Sequence, residues 1–354
     1  MDLSTALVSH SHEMDQTIAD FLDLQEKEAK KIDRYIDQSM LLLKTFSLRG
    51  GKSIRSFLCR IAYDLAKGKK NPGLAKALAS IELHHKHILI LDDISDRDES
   101  RYGGPTLEYA YREVMSGLPD EKYKAMSFAM LDGVLLGSLA KELLISSGFS
   151  AKILIECIHL FDTIMYRDVL AGWQIHGMQC TQTLSKATQE EFIKGLRLVT
   201  ASYTFEGPLL MGLTLAESKD TKLETALRLY AANVGTAFQM HDDILGLFGD
   251  SKKTGKPVGN DVREGKKTLL LQVAFERGST QEREMLEQAC GKAISADTLK
   301  AVQKIVQDTG SLEYSKQLEK EYVEKGIQAL QDLPKSPQKQ MLIELAAYII
   351  SREK

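Results

Sequence analysis

Apolar residues recur at spacings of three and four along most of this chain, and that period admits helices and little else. The segments IADFLDLQEKEAKKIDRYIDQSMLLL, AKILIECIHLFDTIMYRDVLAGW and LETALRLYAANVGTAFQMHDDIL all carry it, and no stretch alternates for long enough to build a sheet. Five of the seven prolines (Pro72, Pro105, Pro119, Pro257 and Pro334) fall in polar or glycine-bearing stretches that read as turns between helices. A Gly-Leu-Pro break between Ser116 and Glu121 reads as a surface loop. The segment QMLIELAAYIISREK places Leu342, Leu345, Ala346, Ile349 and Ile350 on one face of a last helix docked on the others. No Pro/Ser-rich linker, repeat or low-complexity tract divides the chain. The expectation is therefore an all-α fold, a single large helical bundle forming one domain over residues 1–354.

Charge excludes some partners. With 46 Lys plus Arg against 49 Asp plus Glu, the net charge of −3 offers no long-range attraction for nucleic acid or an anionic membrane. Any bound anion must be held by local basic residues. Cys59, Cys157, Cys180 and Cys290 lie far apart and form no paired-cysteine metal motif, which fits free thiols in a reducing cytoplasm. The first residues have neither the basic start nor the apolar stretch of a signal peptide, and no run approaches the ~18 apolar residues of a membrane span. A cytoplasmic protein with no membrane span is expected.

Two acidic clusters carry the chemistry. In SIELHHKHILILDDISDRDESRYGGPT an amphipathic helix ends in Asp92, Asp93 and Asp96. Asp92 and Asp96, four apart, project side by side about one turn apart. Two carboxylates that close repel by roughly 4 kcal/mol at 4 Å and an effective dielectric of 20, so they call for a cation. Oxygen ligands without cysteine suit a hard ion such as magnesium, which commonly bridges carboxylates to phosphates. A solvated acidic helix end is the plainer alternative for the first cluster alone. The second cluster repeats the design: GTAFQMHDDILGLFGDSKKTGKPVGNDVREGKKTLL closes an apolar helix with Asp242 and Asp243, and Lys256, Lys266 and Lys267 follow among glycines. There the backbone can approach a phosphate and ammonium groups can neutralise it. A third element, LRGGKSIRS, sets Lys52 and Arg55 before an apolar helix expected to begin near Phe57, a helix N-terminus suited to a diphosphate. Together the three describe one diphosphate held through metal ions and a second held by basic side chains.

These residues resemble the trans-prenyl diphosphate synthase family, which includes farnesyl and geranylgeranyl diphosphate synthases. The resemblance runs from about Gly50 to LAAYIISR: its first aspartate-rich motif matches DDISD, and its second matches DDILG with the downstream GKPVGND and EGKKTLL. It implies an isoprenoid synthase type I fold around a central cavity and a homodimer. The substrates it implies are isopentenyl diphosphate and an allylic diphosphate, joined in a magnesium-dependent prenyl transfer. By the resemblance, Asp92, Asp96 and Asp242 coordinate three Mg2+ ions, and Asp243 and Asp261 order metal-bound waters. Arg101, Lys256 and Lys266 grip the allylic diphosphate, Thr200 and Gln239 line its site, and Lys52, Arg55 and His85 hold isopentenyl diphosphate. Asp92, Asp96, Asp242, Arg101 and Lys266 are thus the catalytic set.

Four places depart from the family pattern. Tyr102 follows Arg101 where a second arginine is usual. Val199 and Thr200 stand for Lys-Thr, and Trp173 and His176 for Gln-x-x-Asp. Gly246 replaces the third carboxylate of the second motif. Val199 and His176 remove opposite charges together, which we read as a paired rewiring.

In this family, bulk on the helix before the first motif sets product length. Here the eighth, fifth and fourth residues upstream of Asp92 are His84, His87 and Ile88. An aromatic fifth residue with an aliphatic fourth resembles the twenty-carbon pattern, so the expected product is geranylgeranyl diphosphate, with farnesyl and the twenty-five-carbon product as neighbours. His84, His85 and His87 could also recruit a transition metal, but only His84 and His87 share a face, and packing is the expected use. Two rivals remain. A terpene cyclase of similar fold needs no isopentenyl diphosphate site, which Lys52, Arg55 and His85 argue against. A catalytically weak partner subunit of a heteromeric synthase would explain Tyr102, Val199 and His176, but the intact aspartates oppose it.

Overall fold

The computed structural model describes residues 2–186, 188–250 and 258–352. Lys256 and Pro257 lie outside them.

The regular secondary structure of the described residues is helical apart from one short hairpin, in which Ser100–Arg101 pairs antiparallel with Gly104–Pro105. The helical period of the sequence is thus realised, and side chains begin many of the helices. Asp2, Asp33, Asp220, Ser295 and Ser336 each accept from a first-turn backbone N–H, and Ser336 is followed by Pro337 at the first helical position. Thr188 with Glu191 and Ser279 with Glu282 form reciprocal capping boxes.

The chain forms two compact units, Met1–Ile158 with Thr214–Ser218, and His159–Leu213 with Lys219–Lys354. The first is organised on the helix Leu74–Asp96, which is buried almost without a break from Ala77 to Ile90. A helix covered on all sides is mostly apolar, and the polar side chains buried in this one, Glu82 and Lys86 among them, must find partners. It packs against Glu121–Ile145, Leu3–Ile32 and Ile54–Leu65. The second unit is organised on Thr221–Phe248, packed against Ser311–Ala329, Pro337–Ser351 and the segment Arg197–Glu206. Leu342, Leu345, Ala346 and Ile349 of the last helix are buried, and Ile350 is half-buried. Each fully buried leucine contributes about 1.5–3 kcal/mol. Turns occupy residues 116–120, as the Gly-Leu-Pro break required.

Three local features differ from expectation. The helix after LRGGKS begins at Ile54, not near Phe57, because the apolar face already starts at Ile54, so Arg55 belongs to its first turn. Ser53 precedes it at φ 48 without a side-chain cap, and Glu82 Oε1 instead accepts from Ser56 N at 2.8 Å. The tip of the hairpin holds Tyr102 at φ 50 beside Gly103 at φ 74. A tyrosine in the left-handed region costs roughly 1–2 kcal/mol, so surrounding contacts must hold it there. Finally, Thr163–Arg167 and Arg197–Glu206 are π-helical. Wide turns of this kind concentrate at functional sites, and the second contains Val199 and Thr200.

Candidate active site

In the first unit the helix Leu74–Asp96 ends on the acidic cluster, so its carboxylates stand at the negative end of the helix dipole and add to it. Arg101 answers that charge. Its Nη2 lies 3.0 Å from Asp92 Oδ2 and 3.4 Å from Asp98 Oδ2, and its Nε donates to Asp93 Oδ1 at 2.6 Å. Burial opposes charge on the guanidinium, but the carboxylates of Asp92, Asp93 and Asp98 outweigh it and raise its pKa. Asp93, which the sequence left without a role, is thus the buried partner of Arg101, while Asp92 and Asp96 remain half-buried. The hairpin brings Arg101 back onto the helix end. Thr106 Oγ1 and N donate to the carbonyls of Asp98 and Glu99 at 2.9 and 3.0 Å and hold it in place.

Basic groups gather beside this cluster. Arg49 reaches from the loop before Lys52 to the carbonyl of Pro105, across Gly104, where any Cβ would lie 2.7 Å from the guanidinium. His85 is buried, and burial together with Arg55, Lys86 and Arg101 holds its pKa well below the usual histidine value. It therefore keeps a neutral ring near pH 7, able to donate one hydrogen bond and accept another. Sequence reasoning missed Lys86. Its Nζ donates to the carbonyls of Arg49 and Gly50, both at 2.8 Å, and lies 4.6 Å from the centroid of the Tyr102 ring. A single lysine within the buried run Ala77–Ile90 was the available signal.

The second unit holds the other acidic helix end. Thr200 Oγ1 donates to Gln239 Oε1, and Gln239 Nε2 donates to Asp243 Oδ1 at 2.9 Å. Two side chains expected to line a substrate site are thus linked to the second aspartate of the motif. Burial, then the charge of Asp261, pushes the Asp243 carboxyl well above the ordinary range. Asp261 also explains Gly246: a Cβ at that position would lie 2.7 Å from Asp261 Oδ2. A side chain at position 246 would therefore crowd a carboxylate supplied fifteen positions on. Lys266 Nζ stands 3.4 Å from Asp261 Oδ1. Lys267 does not join it: it is buried, with Nζ 3.4 Å from Cys290 Sγ.

Val199 and His176 meet the same pair of packed segments. Val199 Cγ2 fills the space over Gly172, 2.6 Å from where a Cβ there would stand, and the His176 ring crowds Gly195 in the same way. Burial and Lys266 lower the His176 pKa to about 4. Asp242 meets Arg352, the last residue of LAAYIISR, to which the sequence assigned no role.

The proposed length-setting residues His84, His87 and Ile88 are all buried. His87 Nδ1 hydrogen-bonds Gly133 O at 2.7 Å, and its ring lies 3.2 Å from where a Cβ on Gly137 would be. The His84 and His87 rings stand 5.5 Å apart, centroid to centroid. On Glu121–Ile145, Gly137 thus leaves room for the imidazole, and Gly133, one turn earlier, supplies the carbonyl that fixes it.

The sequence model of the polyprenyl synthetase family matches residues 38–308. The chain belongs to that family. Among similar members, geranylfarnesyl diphosphate synthase of Aeropyrum pernix is 31% identical over 96% of this chain and 99% of its own length. Geranylgeranyl diphosphate synthase of Saccharolobus solfataricus is 30% identical over 86% of this chain and 87% of its own. The crystal structure of geranylgeranyl pyrophosphate synthase from Corynebacterium glutamicum, complexed with isoprenyl diphosphate and magnesium, is 28% identical. It superposes with a TM-score of 0.92 over 99% of this chain and 100% of its own. The helical fold of the polyprenyl synthetases is therefore the fold of this protein. Among the described residues no helix is long and apolar enough to cross a membrane.

Proposed function

We propose that this polyprenyl synthetase is a prenyltransferase that joins isopentenyl diphosphate to an allylic diphosphate and ends at geranylgeranyl diphosphate. The observation that carries the reading is the pair of acidic helix ends, Asp92–Asp96, where Arg101 meets Asp92, and Asp242–Asp243, where Arg352 meets Asp242 and Lys266 stands 3.4 Å from the neighbouring Asp261. A terpene cyclase would leave the basic group of Lys52, Arg55 and His85 without use.

The donor chemistry fits magnesium. Among the described residues no three His, Cys, Asp or Glu side chains converge on one point, so the protein offers paired carboxylates and not a closed cage. Magnesium commonly takes one or two carboxylates and completes its shell with water and substrate phosphates. Asp92, Asp96 and Asp242 would hold it, as three ions by the family pattern. When bound, it would offset the negative charge on the departing diphosphate.

The chain's own groups do the rest. Arg101 and Lys266 bind and neutralise the allylic diphosphate, with Lys256 assigned by resemblance alone. Gln239, fixed by Thr200, orients Asp243, and Asp243 and Asp261 order water. Lys52, Arg55 and the neutral His85 hold isopentenyl diphosphate so that its double bond can attack the allylic carbon as the carbon–oxygen bond breaks. Loss of a proton, with diphosphate as base, restores the alkene. No nucleophilic side chain is needed.

Product length rests on His84, His87 and Ile88 as a steric floor. Each added five-carbon unit gains roughly 4 kcal/mol of burial at ~0.8 kcal/mol per methylene, so elongation stops only against a wall. A second copy of the chain is the proposed partner. Phe128, Leu131, Val134 and Leu135 are exposed at helical spacing on Glu121–Ile145 and form an apolar stripe suited to a homodimer. The four free thiols support a cytoplasmic location.

Product analysis tests the reading. Purified protein is given magnesium, labelled isopentenyl diphosphate and each allylic starter in turn, and the dephosphorylated products are chromatographed. A magnesium-dependent series ending at twenty carbons is expected. A folded protein that elongates no starter would overturn the reading and favour the partner-subunit alternative.

A further inference from the structure

Lys86 is only 5% exposed, yet both of its hydrogen bonds go to backbone carbonyls, those of Arg49 and Gly50. Buried ammonium groups are ordinarily paired with a carboxylate. Here the remaining side is covered by the ring of Tyr102, itself 48% exposed and held at φ 50. Three elements therefore meet at one nitrogen: the helix Leu74–Asp96, the turn leading into Lys52, and the hairpin tip after Arg101. Arg49, bonded to Pro105 O, ties the same turn to the same hairpin.

The surroundings are crowded with positive charge. Arg55 and Arg101 lie near enough to disfavour the charge on Lys86, while Glu82 and Asp15 favour it; burial, the largest influence, brings its pKa down to about 8. Cations gathered at such cost are relieved by an anion bound among them. Left to themselves, the carbonyls of Arg49 and Gly50 would present negative dipole ends to such an anion, and Lys86 engages both. The aromatic ring at position 102 also suits its neighbour: a guanidinium there would repel Lys86, whereas the face of a phenol attracts it.

We propose that Lys86, covered by Tyr102, is a positioning residue for the diphosphate of isopentenyl diphosphate, holding the turn that presents Lys52 and moving into the helix the positive charge expected at position 102. The inference rests on the synthase reading for the identity of the ligand.

The test is equilibrium binding by calorimetry, which needs no turnover. Isopentenyl diphosphate and, separately, geranyl diphosphate with magnesium are titrated into the full chain, its Lys86→Gln variant and the double variant Lys86→Gln/Tyr102→Arg. Lys86→Gln is expected to weaken isopentenyl diphosphate by about tenfold or more and to leave geranyl diphosphate within about twofold. Arginine at position 102 is expected to recover most of the loss. Unchanged binding of isopentenyl diphosphate, or equal loss of both ligands without recovery, overturns the proposal. If Lys86→Gln does not fold, Tyr102→Leu on the exposed side carries the test. It should weaken isopentenyl diphosphate a few-fold at low salt, and no change would overturn the proposal. A wild type that binds isopentenyl diphosphate through Lys86 but elongates nothing would refute the synthase reading alone. A wild type that elongates while Lys86→Gln binds normally would refute this inference alone.

Discussion

Arg352 places its Nη2 2.5 Å from Asp242 Oδ1, across 110 positions of sequence, with its guanidinium carbon 4.0 Å from the centroid of the Phe238 ring. His241 Nε2 donates to the carbonyl of Arg352 at 2.8 Å, and Nδ1 of the same ring meets Glu319 Oε1 at 2.7 Å. The end of the last helix is thus anchored beside a proposed metal ligand. The Arg352 side chain is 9% exposed and that of Asp242 37%, so the pair is partly shielded from solvent.

An arginine on Asp242 competes with a cation for the same oxygen. Arg352→Gln should lower the magnesium concentration needed for half-maximal activity by about two- to fivefold, the strength of a partly exposed ion pair. Magnesium titrations of both proteins check this. An unchanged or higher requirement would show that the pair does not compete.

Val199 and His176 should behave as a unit. Val199→Lys forces an ammonium into the contact with Gly172 and should reduce kcat/KM by about tenfold or more. Adding His176→Asp should recover part of the loss. A large gain of activity in the single variant would sink the idea of paired rewiring.

His87 should set the length of the product. His87→Ala removes the ring lodged against Gly133 and Gly137 and should shift the main product to twenty-five carbons or longer. Gly137→Ala, which presses on that ring from the other side, should leave length unchanged or shorten it. Chromatography of dephosphorylated products decides, and a His87→Ala enzyme with the wild-type distribution would remove His87 from the floor.

Acid should destabilise the protein through its buried histidines. Burial lowers the pKa of His10 to about 3, and that of His87 is lowered as well. A histidine whose folded pKa lies below its unfolded value binds fewer protons when folded. Its contribution is complete above pH 6.5 and is lost as pH falls toward the folded value. Thermal midpoints should therefore fall steadily between about pH 6.5 and 4, and His10→Gln should flatten that slope. A profile equally steep in the variant would assign the loss elsewhere.

The helices were legible because their signals are local. Apolar spacing, capping residues such as Thr188 and Ser279, and the break at 116–120 all act within a few residues. The aspartates at 92, 96, 242 and 243 were legible for a related reason: two carboxylates one turn apart, or side by side, need a counter-charge whatever the fold. The same local reasoning misplaced the start of one helix by three residues at Ile54, where a left-handed Ser53 and a distant Glu82 replace a side-chain cap.

By itself, the sequence determined that the chain is helical, where its acidic helix ends lie and which kind of cation they call for, since those follow from neighbours along the chain. Only the tertiary structure decided that Asp261 fills the space over Gly246, that Lys86 lies beneath Tyr102, that Arg352 closes on Asp242 and that the backbone widens into π-helix at Val199 and Thr200. The first three bring together groups from separate elements, and which cation meets which carboxylate is settled by how the helices pack, a choice that no spacing along the chain encodes.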